Sequence, residues 1–106
     1  MAWSDETPAD WISSWAEDGT TVSFDLADVS PALTAAEADA TDGDLRAILF
    51  SLIEHTYKYY AALATADKPT KLSIVKNSYF VSGGLAKHSY TITFDVSATE
   101  EDVVSE

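Results

Sequence analysis

The sequence predicts an α+β fold: a small antiparallel sheet of about three strands, one hairpin among them, packed against one long helix, with N- and C-terminal extensions. Three observations predict it. Apolar residues recur at spacings of three and four through residues 44–65, the period of a helix with a buried face. Residues 20–28 and 87–97 alternate apolar and polar side chains with a period of two, the mark of half-buried strands. Ser82-Gly83-Gly84 separates two strand-like runs, 71–81 and 87–97, with the short glycine turn that closes a hairpin. At roughly 100–150 residues per domain, 106 residues make one domain. Its expected divisions are an N-terminal arm at 1–19, an α+β core at 20–97 and an acidic C-terminal tail at 98–106.

The elements follow in chain order. Residues 1–19 hold all three tryptophans, Trp3, Trp11 and Trp15. Thr7-Pro8 reads as a helix start, with Thr7 as N-cap and Pro8 at the first helical position, and Gly19 as the end of the segment. Trp11 and Trp15 then lie one turn apart on one helix face. So short a helix needs a surface to lie on. That surface is either the protein's own core or a partner. Val22, Phe24 and Leu26 form the apolar face of the first strand, which Ser30-Pro31 breaks. Thr34-Ala35-Ala36-Glu37 has the form of a capping box. Thr41-Asp42-Gly43-Asp44 predicts the start of the main helix, with Thr41 or Asp42 as its cap. Ala47, Phe50 and Tyr57 widen the apolar stripe of that helix, so it should face more than one surface. Lys68-Pro69 ends it. In 71–81 the phase is mixed: Leu72 and Ile74 point one way, Val75, Tyr79 and Val81 the other. A bulge near Ile74-Val75, or burial of both faces, accounts for that pattern. In 87–97, His88, Tyr90, Ile92, Phe94 and Val96 share one face.

Charge narrows the functional classes. Eighteen acids against six bases leave a net charge of −12, which repels a nucleic-acid backbone. The first 45 residues carry eleven acids and no base, residues 46–90 carry all six bases and two acids, and residues 91–106 carry five acids. The acids read either as solvated faces, caps and tails, or as the acidic ends of one copy meeting the basic middle of a neighbour. The absence of cysteine removes disulfides, thiolate metal sites and cysteine nucleophiles. No apolar run reaches the about 18 residues of a membrane span, and no secretory leader is expected.

Catalytic and cofactor motifs are missing. The chain has no phosphate-binding glycine loop, no dinucleotide fingerprint and no zinc or calcium pattern. Its two histidines, His55 and His88, read as structural, so neither an enzymatic role nor a cofactor or metal is expected. A small enzyme or ligand-binding domain would need a pocket with convergent polar groups near one of them. The residues singled out for partner binding are Trp3, Trp11 and Trp15, because Trp is enriched among binding hot spots, and the Val103-Val104 pair in the acidic tail.

The strand "TTVSFDLADV", the helix "ADATDGDLRAILFSLIEHTYKYYAAL", the crossing "ADKPTKLSIVKNSY" and the closing strand "YTITFDVSA" resemble, in order and character, short virion proteins of tailed bacteriophages, those of cyanophages in particular. The resemblance covers about residues 20–98. It implies a capsid cement or decoration protein, or a small tail adaptor, assembled in the host cytoplasm into the virion. Its partners would be other virion proteins, the major capsid protein first, and further copies of itself in a homo-oligomer, with no nucleic acid and no membrane. The second functional class compatible with the charge is an acidic DNA mimic that occupies the basic cleft of a host nucleic-acid-binding protein; the clustered bases in the middle of the chain count against it.

Overall fold

In the computed structural model, residues 3–96 are described. Val103, Val104 and the tail at 98–106 lie outside them. The fold is α+β, with one long helix and four strands among the described residues. The strands form two separate two-stranded antiparallel sheets rather than one sheet of three. The chain divides into two compact units, Asp5–Ala62 and a second one that joins Met1–Ser4 to the chain from Leu63 onward. One boundary between the units falls at the end of the long helix.

The first unit opens with a single helical turn, α1 (Pro8–Trp11). Asp10 closes it locally: its carboxylate accepts from the Thr7 backbone N–H and the Thr7 hydroxyl, both at 2.9 Å. The turn stops at Trp11, well before Gly19. Trp11 and Trp15 therefore meet across a bend and not along a helix, with ring centroids 5.6 Å apart. Strands β1 (Ala16–Glu17) and β2 (Val22–Ser23) pair antiparallel, Ala16 with Ser23 and Glu17 with Val22. Asp18 shapes the turn between them, accepting from the backbone N–H of Thr20 at 3.0 Å and of Thr21 at 2.8 Å. Gly19 in that turn has φ +97°, a conformation that side chains disfavour.

The expected strand 20–28 is cut short after Ser23. Its alternation survives in burial, since Phe24 and Leu26 are half-buried between exposed neighbours. The backbone, however, leaves the ladder: the Asp25 N–H donates to the Ser14 hydroxyl at 2.6 Å, and Leu26–Asp28 forms a 3₁₀ turn. A two-residue β1 has no further rungs to offer. The Thr34–Glu37 capping box is present, with Thr34 N–H donating to the Glu37 carboxylate (2.9 Å) and Glu37 N–H to the Thr34 hydroxyl (3.1 Å). It closes a turn, not a helix.

Helix α2 spans Leu45–Ala62. Its cap is Asp44, whose carboxylate accepts from the N–H groups of Arg46 (3.0 Å) and Ala47 (3.3 Å). Thr41 and Asp42, the expected caps, are held back by Asp39, which accepts both of their N–H groups at 2.9 Å. Gly43 lets this turn close. A β-carbon there would lie 2.4 Å from the carbonyl oxygens of both Glu37 and Asp39.

The core of this unit is Ile12, Val29 and Leu33, with Trp11, Trp15, Phe24, Leu26, Ala47, Ile48 and Leu52 packed around them. Burying each of the three aliphatic side chains contributes about 1.5–3 kcal/mol. Trp11, Ile12 and Trp15 are thus part of this core. The most buried residues of α2 are polar: Ser51 (1% exposed) and Glu54.

In the second unit, a 3₁₀ turn at Thr65–Asp67 and a buried Pro69 lead into β3 (Leu72–Val81). It pairs with β4 (Leu85–Phe94) in an unbroken register from Leu72–Phe94 to Val81–Leu85. No bulge interrupts it. Gly83 and Gly84, at φ +86° and +73°, supply the left-handed backbone of the connecting loop.

Candidate interaction surface

The register sorts the hairpin into two faces. One carries Leu72, Ile74, Lys76, Ser78 and Phe80, opposite Phe94, Ile92, Tyr90, His88 and Ala86. Ile74 is buried on this face, and Lys76 and Tyr90 are half-buried, with the ammonium 5.6 Å from the ring centroid. The other face carries Ser73, Val75, Asn77, Tyr79 and Val81, opposite Thr93, Thr91, Ser89, Lys87 and Leu85. All of these except the half-buried Val81 are exposed. Tyr79 is 53% and Leu85 64% exposed, and Phe80, beside the loop, is 88% exposed. The mixed phase of 71–81 therefore comes from neither a bulge nor double burial. It comes from apolar side chains left open to solvent on both faces, Val75, Tyr79 and Leu85 on this one and Phe80, Ile92 and Phe94 on the other. Contiguous exposed apolar residues of this kind mark contact sites. No third described strand joins β3 or β4.

A second apolar surface lies on the first unit. Leu45 (68% exposed), Leu49 and Phe50 stand on one side of α2. The inward side of the helix carries Ala47, Ile48 and Leu52 against the core, with buried polar residues beside them. Ser51, Glu54, His55 and Lys58 follow one another at helical spacings of three, one and three. The Ser51 hydroxyl donates to the Pro31 carbonyl at 2.5 Å. His55 Nδ1 accepts the Ser30 N–H at 3.1 Å, which leaves the proton on Nε2, 2.5 Å from the Trp11 carbonyl oxygen that accepts it. Lys58 donates to the Ser30 hydroxyl at 2.9 Å and lies 3.9 Å from the Glu54 carboxylate. This line ties α2 to the 29–31 loop and to the end of α1.

The tryptophans expected to meet a partner are placed as follows. Trp3 begins a 3₁₀ turn and is half-buried. Trp11 and Trp15 are half-buried against the Ile12–Val29–Leu33 cluster, and Trp15 also stacks on Phe24 with centroids 6.1 Å apart. Only their uncovered edges are open to another molecule. The structure does not bring Trp11 and Trp15 together with Val75, Tyr79 or Leu85 in one unit. Sequence reasoning missed the hairpin face, although the off-phase residues Val75, Tyr79 and Val81 were its signal.

Polar chemistry on the surface has local explanations. Ser78 and His88 are directly opposed in the ladder, with the hydroxyl oxygen 2.7 Å from Nδ1. Both are exposed, and their closeness follows from strand pairing. Several acids of the first unit hold turns. The N–H groups and hydroxyls of Thr20 and Thr21 keep the Asp18 carboxyl well below the usual carboxylate range. The N–H groups of Asp42 and Thr41, and then the Thr41 hydroxyl, lower that of Asp39. Among the described residues, no group of three or more His, Cys, Asp and Glu is placed to hold a metal ion. No described helix is long and apolar enough to cross a membrane. No protein-family model matches the chain, and the searches of curated proteins and of solved structures return no match to it.

Proposed function

We propose that this protein acts by docking, as a structural component of a tailed-phage virion: a capsid cement or decoration protein that binds between capsid subunits and stabilises the shell. The exposed apolar side chains of the β3–β4 hairpin, Val75, Tyr79 and Leu85 on one face and Phe80 and Phe94 on the other, are the observation that carries the reading. Apolar and aromatic side chains on an otherwise polar ribbon provide an anchor that gains by burial against a neighbour, at about 25 cal/mol per Å² of apolar surface covered. The phage setting follows from the resemblance of residues 20–98 to small virion proteins. In this reading the protein has no catalytic role, and its principal partner is the major capsid protein.

The test is direct. Particles purified from cells infected by the virus encoding this chain should contain it in a fixed ratio to the major capsid protein, measured by quantitative mass spectrometry. Particles lacking it should lose their genome at a lower temperature, and adding the purified protein should restore the wild-type value. Absence of the chain from washed particles would overturn the assignment.

A further inference from the structure

We infer that His55 is a pH-sensitive latch of the Asp5–Ala62 unit, independent of any partner: the neutral ring fastens the 29–31 loop and the end of α1 to α2, and the protonated ring releases the loop. The hydrogen bonds fix which form of the ring the fold holds. The Ser30 backbone N–H can only donate, so Nδ1, 3.1 Å away, is an unprotonated acceptor. The Trp11 carbonyl oxygen can only accept, so Nε2, 2.5 Å away, carries the one proton. Both ring nitrogens are thereby committed, and a second proton has one place to go, Nδ1. There it sets N–H against N–H. The bond from Ser30 breaks, and a backbone donor loses its partner. Val29, next to Ser30 in the loop, is 2% exposed, so letting go of Ser30 loosens the Ile12–Val29–Leu33 core.

The ionisable groups around the ring come from each element packed on it. On α2, Lys58 donates to the Ser30 hydroxyl at 2.9 Å, so a charged ring brings a second cation to the same residue. Glu54, the buried acid beside His55 in sequence, lies 3.9 Å from the Lys58 ammonium. The loop is Val29, Ser30 and Pro31, none of them ionisable, and the half-buried Asp28 precedes it. On α1 the ionisable group is Asp10, whose carboxylate is turned to the N–H and hydroxyl of Thr7. In the unfolded chain a histidine takes up its proton near about pH 6.5. Below that range the unfolded chain binds a proton that the latched ring refuses. The latch therefore contributes fully above the range, and its contribution falls as the pH drops through it. One proton sets the ceiling, about tenfold in the folding constant per pH unit.

Two measurements on the full chain test this. Imidazole nitrogen chemical shifts at about pH 7.5 should show His55 neutral with its proton on Nε2; a proton on Nδ1 would overturn the inference, and no variant is needed. Urea unfolding of wild type and His55→Gln is then compared between about pH 7.5 and about pH 5.5, above the ordinary carboxylate range. Glutamine at this position keeps one of the two bonds and takes up no proton. The ratio of the folding constants, wild type over variant, should fall by more than about twofold and up to about tenfold as the pH is lowered across that interval. His88→Gln, altered on the exposed ribbon, should follow wild type. A ratio that stays within about twofold, or one that rises because Glu54 or Asp28 holds the charged ring, would overturn the latch. So would a His88→Gln chain that loses the pH dependence.

Discussion

Replacing His55 with phenylalanine isolates the polar clamp of the first unit. The ring volume is retained, and so is its contact with the Trp11 indole, whose centroid lies 6.2 Å from that of the imidazole. Two hydrogen bonds are lost: the one from the Ser30 N–H and the one to the Trp11 carbonyl. A polar group that stays away from water after losing its partner costs about 1–3 kcal/mol, and one that water reaches costs about 0.5–1.5 kcal/mol. Trp11 is half-buried and Ser30 exposed, so the two losses together come to about 1.5–4.5 kcal/mol. A domain of this size has about 5–10 kcal/mol in all. In urea, with a slope of about 1–1.5 kcal/mol/M, the midpoint of unfolding should fall by about 2 M. His55→Gln, which keeps one of the two bonds, should fall between Phe and wild type. His88→Phe makes the same chemical change on the exposed ribbon and should shift stability by less than about 0.5 kcal/mol. A His55→Phe midpoint within about 0.5 M of wild type at an unchanged slope would refute the clamp.

Further expectations concern the same unit. Ser51→Ala leaves the Pro31 carbonyl without its donor beside a fully buried position and should cost about 1–3 kcal/mol in urea unfolding. Gly43→Ala sets a methyl group against two backbone carbonyls that cannot swing away; it should destabilise by about 1–3 kcal/mol or more, seen as a lower thermal midpoint. Ile12→Ala empties a site that is 0% exposed and should cost about 2–5 kcal/mol, with loss of tryptophan fluorescence anisotropy as Trp11 and Trp15 loosen. Because the Asp18 carboxyl is lowered in the folded chain by its bonds to Thr20 and Thr21, the stability it contributes is present above the ordinary carboxylate pKa. It is lost only as pH falls through the depressed folded value. The amide shifts of Thr20 and Thr21 should therefore hold steady down through pH 4, while an exposed carboxylate without such bonds titrates; movement of both sets together would contradict the turn geometry.

Devices that close within a few residues were legible in the sequence. Thr7 with Asp10, Thr34 with Glu37, and Gly83-Gly84 between two strands each satisfy backbone groups at most four positions away, so local spacing suffices to find them. The body of α2 was legible for the same reason, although it ends at Ala62, ahead of a separate 3₁₀ turn at Thr65–Asp67, and not at Lys68-Pro69. Its cap was misplaced by two or three residues because Asp39, not visible as a competitor in a linear pattern, takes the N–H groups of Thr41 and Asp42.

The open hairpin face and the inward polar side of α2 were not legible, because periodicity reports which residues share a face and not what covers that face. In α2, the apolar stripe runs through Leu45, Ile48, Leu49 and Leu52; Ile48 and Leu52 pack on the core, while Leu45 and Leu49 stay exposed. The backbone N–H and C=O groups of the 29–31 loop need partners, and Ser51 and His55 supply them. In β3, alternation placed Val75 and Tyr79 together but left open whether a sheet, a helix or water would meet them. Sequence by itself thus determined the α+β class, the turns and the positions of helix and hairpin, all set by neighbours along the chain. Tertiary structure alone decided which faces are buried, because burial is a property of two surfaces in contact and the second surface is contributed by residues distant in sequence.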